Sequence, residues 1–140
     1  NQFGNTDEQD WLETFKINTI GPMKMAEAFI NNLEMGSDKV IASLTSKMAS
    51  MADNGSGGSY IYRSSKAALN AVLKSLAIDL RDRQVTVLAL HPGWVQTDMG
   101  GVNGEITAAE SVVNLFAIIN NSTLEQSGSF YDIDGTVIPW

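Results

Sequence analysis

Cysteine is absent from this sequence of 140 residues, and histidine occurs once. Without cysteine no disulfide framework and no thiolate metal site can form, and a single imidazole cannot assemble a zinc cluster. A composition of this kind is typical of proteins that fold in a reducing compartment. We therefore expect no metal site and a cytoplasmic location.

Basic residues and long apolar runs are also scarce. Nine lysines and arginines stand against 16 aspartates and glutamates, which gives a net charge of −7. That balance argues against a nucleic acid or an anionic membrane surface as a partner. No apolar run is long enough to cross a bilayer, and the N-terminus has neither a secretory leader nor an initiator methionine. The charge balance does not argue against a small neutral molecule as the partner.

Hydrophobic residues make up 44% of the sequence, which is enough for the core of one domain. Apolar residues at intervals of three and four predict helices over 7–33, 60–82 and 108–119. Short apolar runs with β-branched residues predict strands at 39–45, 85–90 and 128–133. Alternating helices and strands are typical of a doubly wound α/β sheet with right-handed crossovers, so we expect parallel strands.

The helix ends carry specific signals. Thr6–Gln9 and Thr107–Glu110 have the spacing of capping boxes, which start a helix. Gly21-Pro22 interrupts the first helical pattern and predicts a kink or a close helix contact at that point. We interpret the apolar stripe of this first helix as core packing.

Tyr62 and Lys66 lie four positions apart in the second predicted helix. That spacing places both side chains on one helix face, so a phenol and an ammonium can act on one bound molecule. A phenol alone is a poor general acid or base at neutral pH, but a neighbouring positive charge favours its ionised form. The pair is therefore the candidate catalytic centre.

Hydroxyl groups follow the strand at 39–45, whose carboxyl end should face the same site. Ser46 lies directly after this strand and is the first candidate, with Thr45 and Ser43 as alternatives. The Gly-rich segment 52–59 lacks GxGxxG spacing and does not open from a strand. We therefore interpret it as a loop rather than as a phosphate cradle.

Four separated motifs resemble those of the short-chain dehydrogenase/reductase family, in the family's order. They are Ile17-Asn18-Thr19 with Gly21, Ser43-Leu44-Thr45-Ser46, Tyr62-Arg63-Ser64-Ser65-Lys66, and His91-Pro92-Gly93-Trp94-Val95-Gln96-Thr97. Dipeptides outside these motifs further resemble the C-factor-like carbonyl-reductase branch of the family. They include Asp53-Asn54, Gly57-Gly58, Asp134-Gly135 and Pro139-Trp140. The resemblance covers essentially the whole chain. It implies the C-terminal, catalytic half of a Rossmann-like sheet, truncated to roughly three strands and three helices.

The resemblance assigns a role to each catalytic candidate. Tyr62 would be the general acid in carbonyl reduction and the general base in alcohol oxidation, and Ser46 would donate a hydrogen bond to the reacting oxygen. Lys66 would hold the nicotinamide ribose and ease ionisation of Tyr62. Asn18 would belong to a water-linked proton relay behind Lys66. Read without the resemblance, Asn18 is a solvent-facing or backbone-bonded amide.

The same resemblance implies NAD or NADP as the cofactor and a small carbonyl or alcohol as the substrate. Pro92, Gly93, Val95 and Thr97 would fix the nicotinamide with one face toward the substrate. Without the resemblance, Pro92-Gly93 is an ordinary turn after a strand. His91 is interpreted as structural rather than catalytic.

The sequence departs from the family at its N-terminal end, where we expect the dinucleotide-binding half to be absent. A first strand, a Gly-rich turn and a helix that receives the pyrophosphate are not among these residues. We therefore expect the chain alone to bind NAD(H) or NADP(H) weakly or not at all, with little turnover. The alternative is a non-catalytic oligomerising or binding module that retains the family fold.

An oligomer is expected because the strand at 39–45 would have one unpaired, apolar edge. The contacts would be that edge, the helices at 7–33 and 60–82, or both, packed across a two-fold axis.

Overall fold

The computed structural model describes residues 1–140 and contains one sheet of three parallel strands. The strands are β1 (Val40–Leu44), β2 (Thr86–Leu90) and β3 (Ser129–Tyr131), in the spatial order β1-β2-β3. All five residues of the central strand β2 are buried. Because the strands are parallel, their carboxyl ends meet at one edge of the sheet, where a site is expected.

Three helical segments cover the two faces of this sheet. The first runs through α1 (Glu8–Phe15), a π-helical turn (Lys16–Ile20) and α2 (Gly21–Glu34). The others are α3 (Tyr60–Asp79) and α4 (Ala108–Asn121). The count of three strands and three helices agrees with the sequence prediction.

The core has two parts, one on each face of the sheet. The larger cluster joins α3 to alternate residues of β2 and to β3: Leu69, Leu73, Leu76, Ala77, Leu80, Val85, Val87, Ala89, Phe130 and Ile138. The smaller cluster lies under α4: Leu88, Leu90, Leu115 and Tyr131. Alternation of Val87 and Leu88 between the clusters is the two-residue period of a strand covered on both faces.

The predicted cap at Thr6 is wrong by one residue. Asp7 is the N-cap of α1, and its carboxylate accepts a hydrogen bond from the backbone N–H of Asp10 at 2.8 Å. An aspartate accepts such a bond as well as a threonine does, so two adjacent capping residues compete for the position. The predicted capping box of Thr107 and Glu110 is confirmed at the start of α4.

The interruption expected at Gly21-Pro22 lies one turn earlier. The π-helical turn of Lys16–Ile20 carries the irregularity, and Pro22 stands at the beginning of α2. Proline is well tolerated there because the first helical N–H groups have no intrahelical partner. The wide turn places Asn18 and the buried Thr19 against α3.

The apolar stripe of the first helical segment is only partly core, which corrects the sequence interpretation. No residue of α1 or α2 is fully buried. Met23, Ala26, Ile30 and Leu33 pack against the larger cluster. Other apolar side chains remain outside, among them Leu12, Ile17, Ile20, Met25 and Phe29, each at least half exposed.

No helix of the chain combines the length and apolar character needed to cross a membrane.

Candidate active site

A cavity of about 560 Å³ opens at the carboxyl ends of β1 and β2. It brings together six residues that the sequence marked as catalytic or cofactor-binding: Ser46, Tyr62, Pro92, Gly93, Val95 and Thr97. Its other lining residues are Thr45, Lys47, Met48, His91, Trp94, Met99 and Gly100. Lys66 and Asn18, the remaining two predicted site residues, do not line it.

Ser46 is held in one orientation by the backbone that follows it. It caps a short 3₁₀ turn, Lys47–Ala49, and its Oγ accepts a hydrogen bond from the N–H of Met48 at 3.2 Å. The side chain is almost fully buried. Because the N–H occupies a lone pair of Oγ, the hydroxyl proton remains free to be donated to a ligand in the cavity.

The two alternative hydroxyls are placed differently. Thr45 is buried and its Oγ1 donates to the carbonyl of Lys66 at 3.5 Å, so its proton is directed to the helix backbone. Ser43 lines a separate apolar groove between α2 and β1. Of the three candidates, Ser46 therefore has the geometry of a donor to the cavity.

Tyr62 and Lys66 lie one turn apart near the N-terminal end of α3. Tyr62 lines the cavity, whereas the Nζ of Lys66 donates to the carbonyl of Leu44 at 3.0 Å. Leu44 ends β1 two residues before Ser46, so the phenol, the ammonium and the hydroxyl share one neighbourhood. Burial lowers the pKa of Lys66. A contact from Lys66 to a cofactor stays a prediction.

Asn18 lies outside the cavity and supports α3 from behind. Its Nδ2 donates to the Oγ of Ser65 at 3.1 Å, and that hydroxyl donates to the carbonyl of Tyr62 at 2.8 Å. The amide nitrogen is thus bonded to a side chain rather than to the backbone, the second of the two alternatives given without the resemblance. A relay role for Asn18 stays a prediction.

The segment after β2 forms a tight wall of the cavity. Gly93 has φ of +81°, and a Cβ at this position would lie 2.7 Å from Cδ1 of Ile106. A bridge between Val95 and Ile106 closes the loop that follows, and the indole Nε1 of Trp94 donates to the carbonyl of Gly100 at 2.8 Å. The turn therefore favours glycine for its conformation, and any larger residue would also have to displace the end of the Ile106 side chain.

Three residues at the strand ends were not assigned to the site from the sequence. Lys47 follows β1, His91 follows β2 and Asp132 follows β3, and Lys47 pairs with Asp132 at 3.2 Å. Burial lowers the pKa of His91, Asp132 raises it and Lys47 lowers it. Nδ1 of His91 is buried without a partner. His91 directly follows the predicted strand at 85–90, and Lys47 lies two residues after the one at 39–45, which is the signal that could have identified them. Asp132 falls inside the predicted strand at 128–133, because β3 ends at Tyr131, two residues earlier than predicted.

The residues present fit the nicotinamide end of a dinucleotide. The cavity lies within the range of about 300–1,000 Å³ that is usual for small-molecule sites. It is lined by the phenol of Tyr62, the hydroxyl of Ser46 and the Gly93 turn, and the ammonium of Lys66 lies at the end of β1. No group of three or more His, Cys, Asp or Glu side chains is placed to hold a metal ion.

Comparison with known proteins assigns the family. The family model described as enoyl-(acyl carrier protein) reductase matches residues 1–137. The chain is 43% identical to the C-signal protein of Myxococcus xanthus over 98% of its own length and 82% of that protein. The chain therefore belongs to the short-chain dehydrogenase/reductase family, and the predicted C-factor-like resemblance is confirmed.

A further relative is a dehydrogenase. The 1-hydroxy-2-glutathionyl-2-methyl-3-butene dehydrogenase of Rhodococcus sp. strain AD45 is 38% identical, over 99% of this chain and 62% of that one.

Solved structures share the fold. The carbonyl reductase Sniffer of D. melanogaster superposes with a TM-score of 0.96 at 32% identity, and NADPH-bound carbonyl reductase from chicken fatty liver with 0.93 at 31%. Each comparison covers 100% of this chain and 61% of the other. The predicted Rossmann-like fold class is confirmed, and the chain spans about three fifths of these carbonyl reductases.

Proposed function

We propose that these residues are the catalytic part of an NAD(P)-dependent oxidoreductase that interconverts a small carbonyl compound and its alcohol. The observation that carries the proposal is the meeting of Ser46 and Tyr62 in one cavity with the 92–97 loop. The ammonium of Lys66 lies at the same strand end, 3.0 Å from the carbonyl of Leu44. Family membership and the names of related proteins, a dehydrogenase and a carbonyl reductase, support the class of reaction.

Each side chain has a task in that reaction. Ser46, fixed through Met48, donates its proton to the carbonyl oxygen and stabilises the negative charge that develops there. Tyr62 delivers the proton that completes the alcohol, or removes it in the reverse direction. Lys66, whose ammonium lies at the end of β1, would hold the ribose hydroxyls of the nicotinamide nucleotide. A bound nicotinamide would supply or accept the hydride, and the 92–97 loop would hold it in place.

We also propose that the 140-residue chain alone binds NADP(H) or NAD(H) weakly and turns over little. The cavity offers contacts to the nicotinamide end, whereas the Gly-rich segment 52–59 lacks GxGxxG spacing and does not open directly from a strand. Calorimetric titration should give a much weaker affinity for this chain than for a version extended with a family dinucleotide-binding segment. Micromolar affinity of the 140-residue chain would refute this part of the proposal.

The second candidate is a non-catalytic module that assembles through its apolar surfaces. Strand β1 has a neighbour on one side only, and a groove of about 650 Å³ runs along α1. The lining includes two charged residues, Glu8 and Lys16. Its apolar residues are Trp11, Leu12, Phe15 and Ile20. Absence of turnover from the extended version would favour this candidate.

We propose a second copy of the chain as the occupant of the α1 groove. An antiparallel two-fold pairing would bring Glu8 of each copy toward Lys16 of the other, since an isologous contact makes every pair reciprocal. Pairing of β1 edges is the second available contact. Light scattering tests both, because a dilute monomer would contradict them. The expected cytoplasmic location stays a prediction, to be tested by cell fractionation.

A further inference from the structure

We propose that Arg63 is a positioning residue that sets the orientation of the Ser46 hydroxyl relative to Tyr62. The inference rests on the proposed function, since it concerns the donor that would act on the substrate oxygen. Arg63 directly follows Tyr62 in α3, and its guanidinium reaches across to the segment that carries Ser46.

The guanidinium joins three separate parts of the chain. Nη1 donates to the carbonyl of Met48 at 3.1 Å, and Nη2 donates to the Oγ of Ser56 at 2.8 Å. Arg63 itself is anchored in α3, a 20-residue helix whose inner face belongs to the core. The 3₁₀ turn after Ser46 and the Gly-rich loop are thus tied to the helix that holds Tyr62.

Met48 transmits this contact to the catalytic candidate. Its carbonyl accepts from Arg63, while its N–H donates to the Oγ of Ser46 at 3.2 Å. The turn consists of only three residues, Lys47–Ala49, so it has little stability of its own. Because a single residue makes both bonds, displacement of Met48 would release the Ser46 hydroxyl.

Burial distinguishes Arg63 from a solvated surface arginine. Its Nε is buried and has no partner within the chain. Enclosing a charged group in this way costs free energy unless its other hydrogen bonds compensate. The two bonds to Met48 and Ser56 are charge-assisted and come from one planar fork, a geometry that lysine cannot reproduce.

The segment has other ties, but none of them reaches Met48. Ser50 Oγ donates to the carbonyl of Pro139 at 2.5 Å, and the N–H of Ala52 donates to that of Trp140 at 3.2 Å.

Lys47 pairs with Asp132, but the Lys47 side chain is about half exposed, at 47%. Exposed ion pairs contribute little to holding a segment in place. Arg63 is thus the side chain outside the turn that bonds to Met48, whose N–H holds the Ser46 hydroxyl.

The test is amide hydrogen exchange and side-chain NMR on the whole 140-residue chain. Arg63→Met removes both bonds and keeps an apolar stem, Arg63→Lys keeps the charge, and Ser56→Ala removes only the loop contact. In Arg63→Met, exchange of the Met48 amide should be about ten- to a hundredfold faster, as expected for loss of a charged hydrogen bond. The Ser46 χ1 coupling constants should change from one rotamer to an average.

The matched variants separate positioning from general destabilisation. Arg63→Lys should recover part of the protection, and Ser56→Ala should stay within about twofold of the wild type, with the Leu73 amide of the α3 core unchanged throughout. An unchanged Met48 amide in Arg63→Met and in Arg63→Lys would overturn the proposal, as would equal acceleration at Leu73. Neither measurement needs cofactor or substrate, so a failed dehydrogenase assignment would be distinguishable from a failed positioning role.

Discussion

The amide of Asn18 and the hydroxyl of Ser65 are hydrogen-bonded at 3.1 Å, and this contact joins the π-helical turn to α3 between Tyr62 and Lys66. Ser65 is completely buried, and its carbonyl also accepts from the hydroxyl of Thr19 at 2.9 Å. The helix that presents both catalytic candidates is therefore fastened from behind at the residue between them.

Ser65→Ala should lower the free energy of unfolding by about 1–3 kcal/mol, because it leaves the Asn18 amide without its partner. Urea denaturation followed by circular dichroism measures the change. Ser75→Ala is the matched control in the same helix, since its exposed hydroxyl bonds only to the carbonyl of Ala71. The control should change stability by less than about 0.5 kcal/mol. Equal effects of both substitutions would contradict the role of Ser65.

Gly93→Ala should destabilise the chain more than Gly135→Ala does. Both glycines have positive φ, +81° and +83°, so each substitution costs about 1–2 kcal/mol of backbone strain. A Cβ on Gly135 meets nothing within 4 Å, whereas one on Gly93 meets Ile106 at 2.7 Å. That atom is the terminal methyl of a flexible, partly exposed side chain, so relieving the contact should add only about 0.5–1 kcal/mol, measured by the same denaturation assay. If both variants lost the same free energy of unfolding, the 92–97 loop would accommodate the added Cβ without cost.

Stability should fall as the pH is lowered through the range where histidine titrates. Burial lowers the pKa of His91 in the folded chain, so the unfolded state takes up a proton first. Asp132 opposes this effect and Lys47 reinforces it. Between about pH 7.5 and 5.5 the free energy of unfolding should decrease, and the loss should level off below the folded pKa.

The matched variant for this pH dependence is His91→Gln, which has no titrating group at the position. Its stability should be nearly flat over the same range, because most carboxylates titrate at lower pH. A wild-type slope that survives in His91→Gln would assign the effect to another group.

The oligomer proposal predicts that an aspartate substituted into the interface between two copies of the chain yields a monomer. Leu12 lies in the α1 groove and Leu44 on strand β1, and they are similarly exposed, at 51% and 53%. Leu12→Asp should dissociate a helix-mediated dimer and Leu44→Asp an edge-mediated one, because a buried unpaired charge is costly. Light scattering of wild type and both variants identifies the surface. A wild type that is already monomeric would reject both contacts.

The sequence predicts those site residues whose positions follow from regular strands and helices. Ser46 follows a strand and Tyr62 opens a helix, and the carboxyl ends of parallel strands bring such positions together. Lys66 shares the helix face of Tyr62, yet its ammonium bonds to the carbonyl of Leu44, a partner that spacing does not specify. Trp94 and Met48 line the cavity through loop conformations, which have no periodic signal.

The same limit explains the errors at the first helix. Thr6 and Asp7 are both good caps, so the starting residue depends on which one the backbone favours. An apolar stripe predicts that a helix face is buried, but it does not identify the surface that buries it. Met23 and Ile30 pack against the core, whereas Leu12 and Phe29 are more than half exposed in this chain.

The central claim is that the Tyr62 phenol transfers the proton in a carbonyl reduction, and Tyr62→Phe removes that one hydroxyl. The measurement is NADPH-dependent carbonyl reduction by the chain extended with a family dinucleotide-binding segment, with and without the substitution. The account predicts turnover that Tyr62→Phe lowers by about a hundredfold or more, with NADPH affinity within about threefold. Turnover that persists at the wild-type rate in Tyr62→Phe would contradict it.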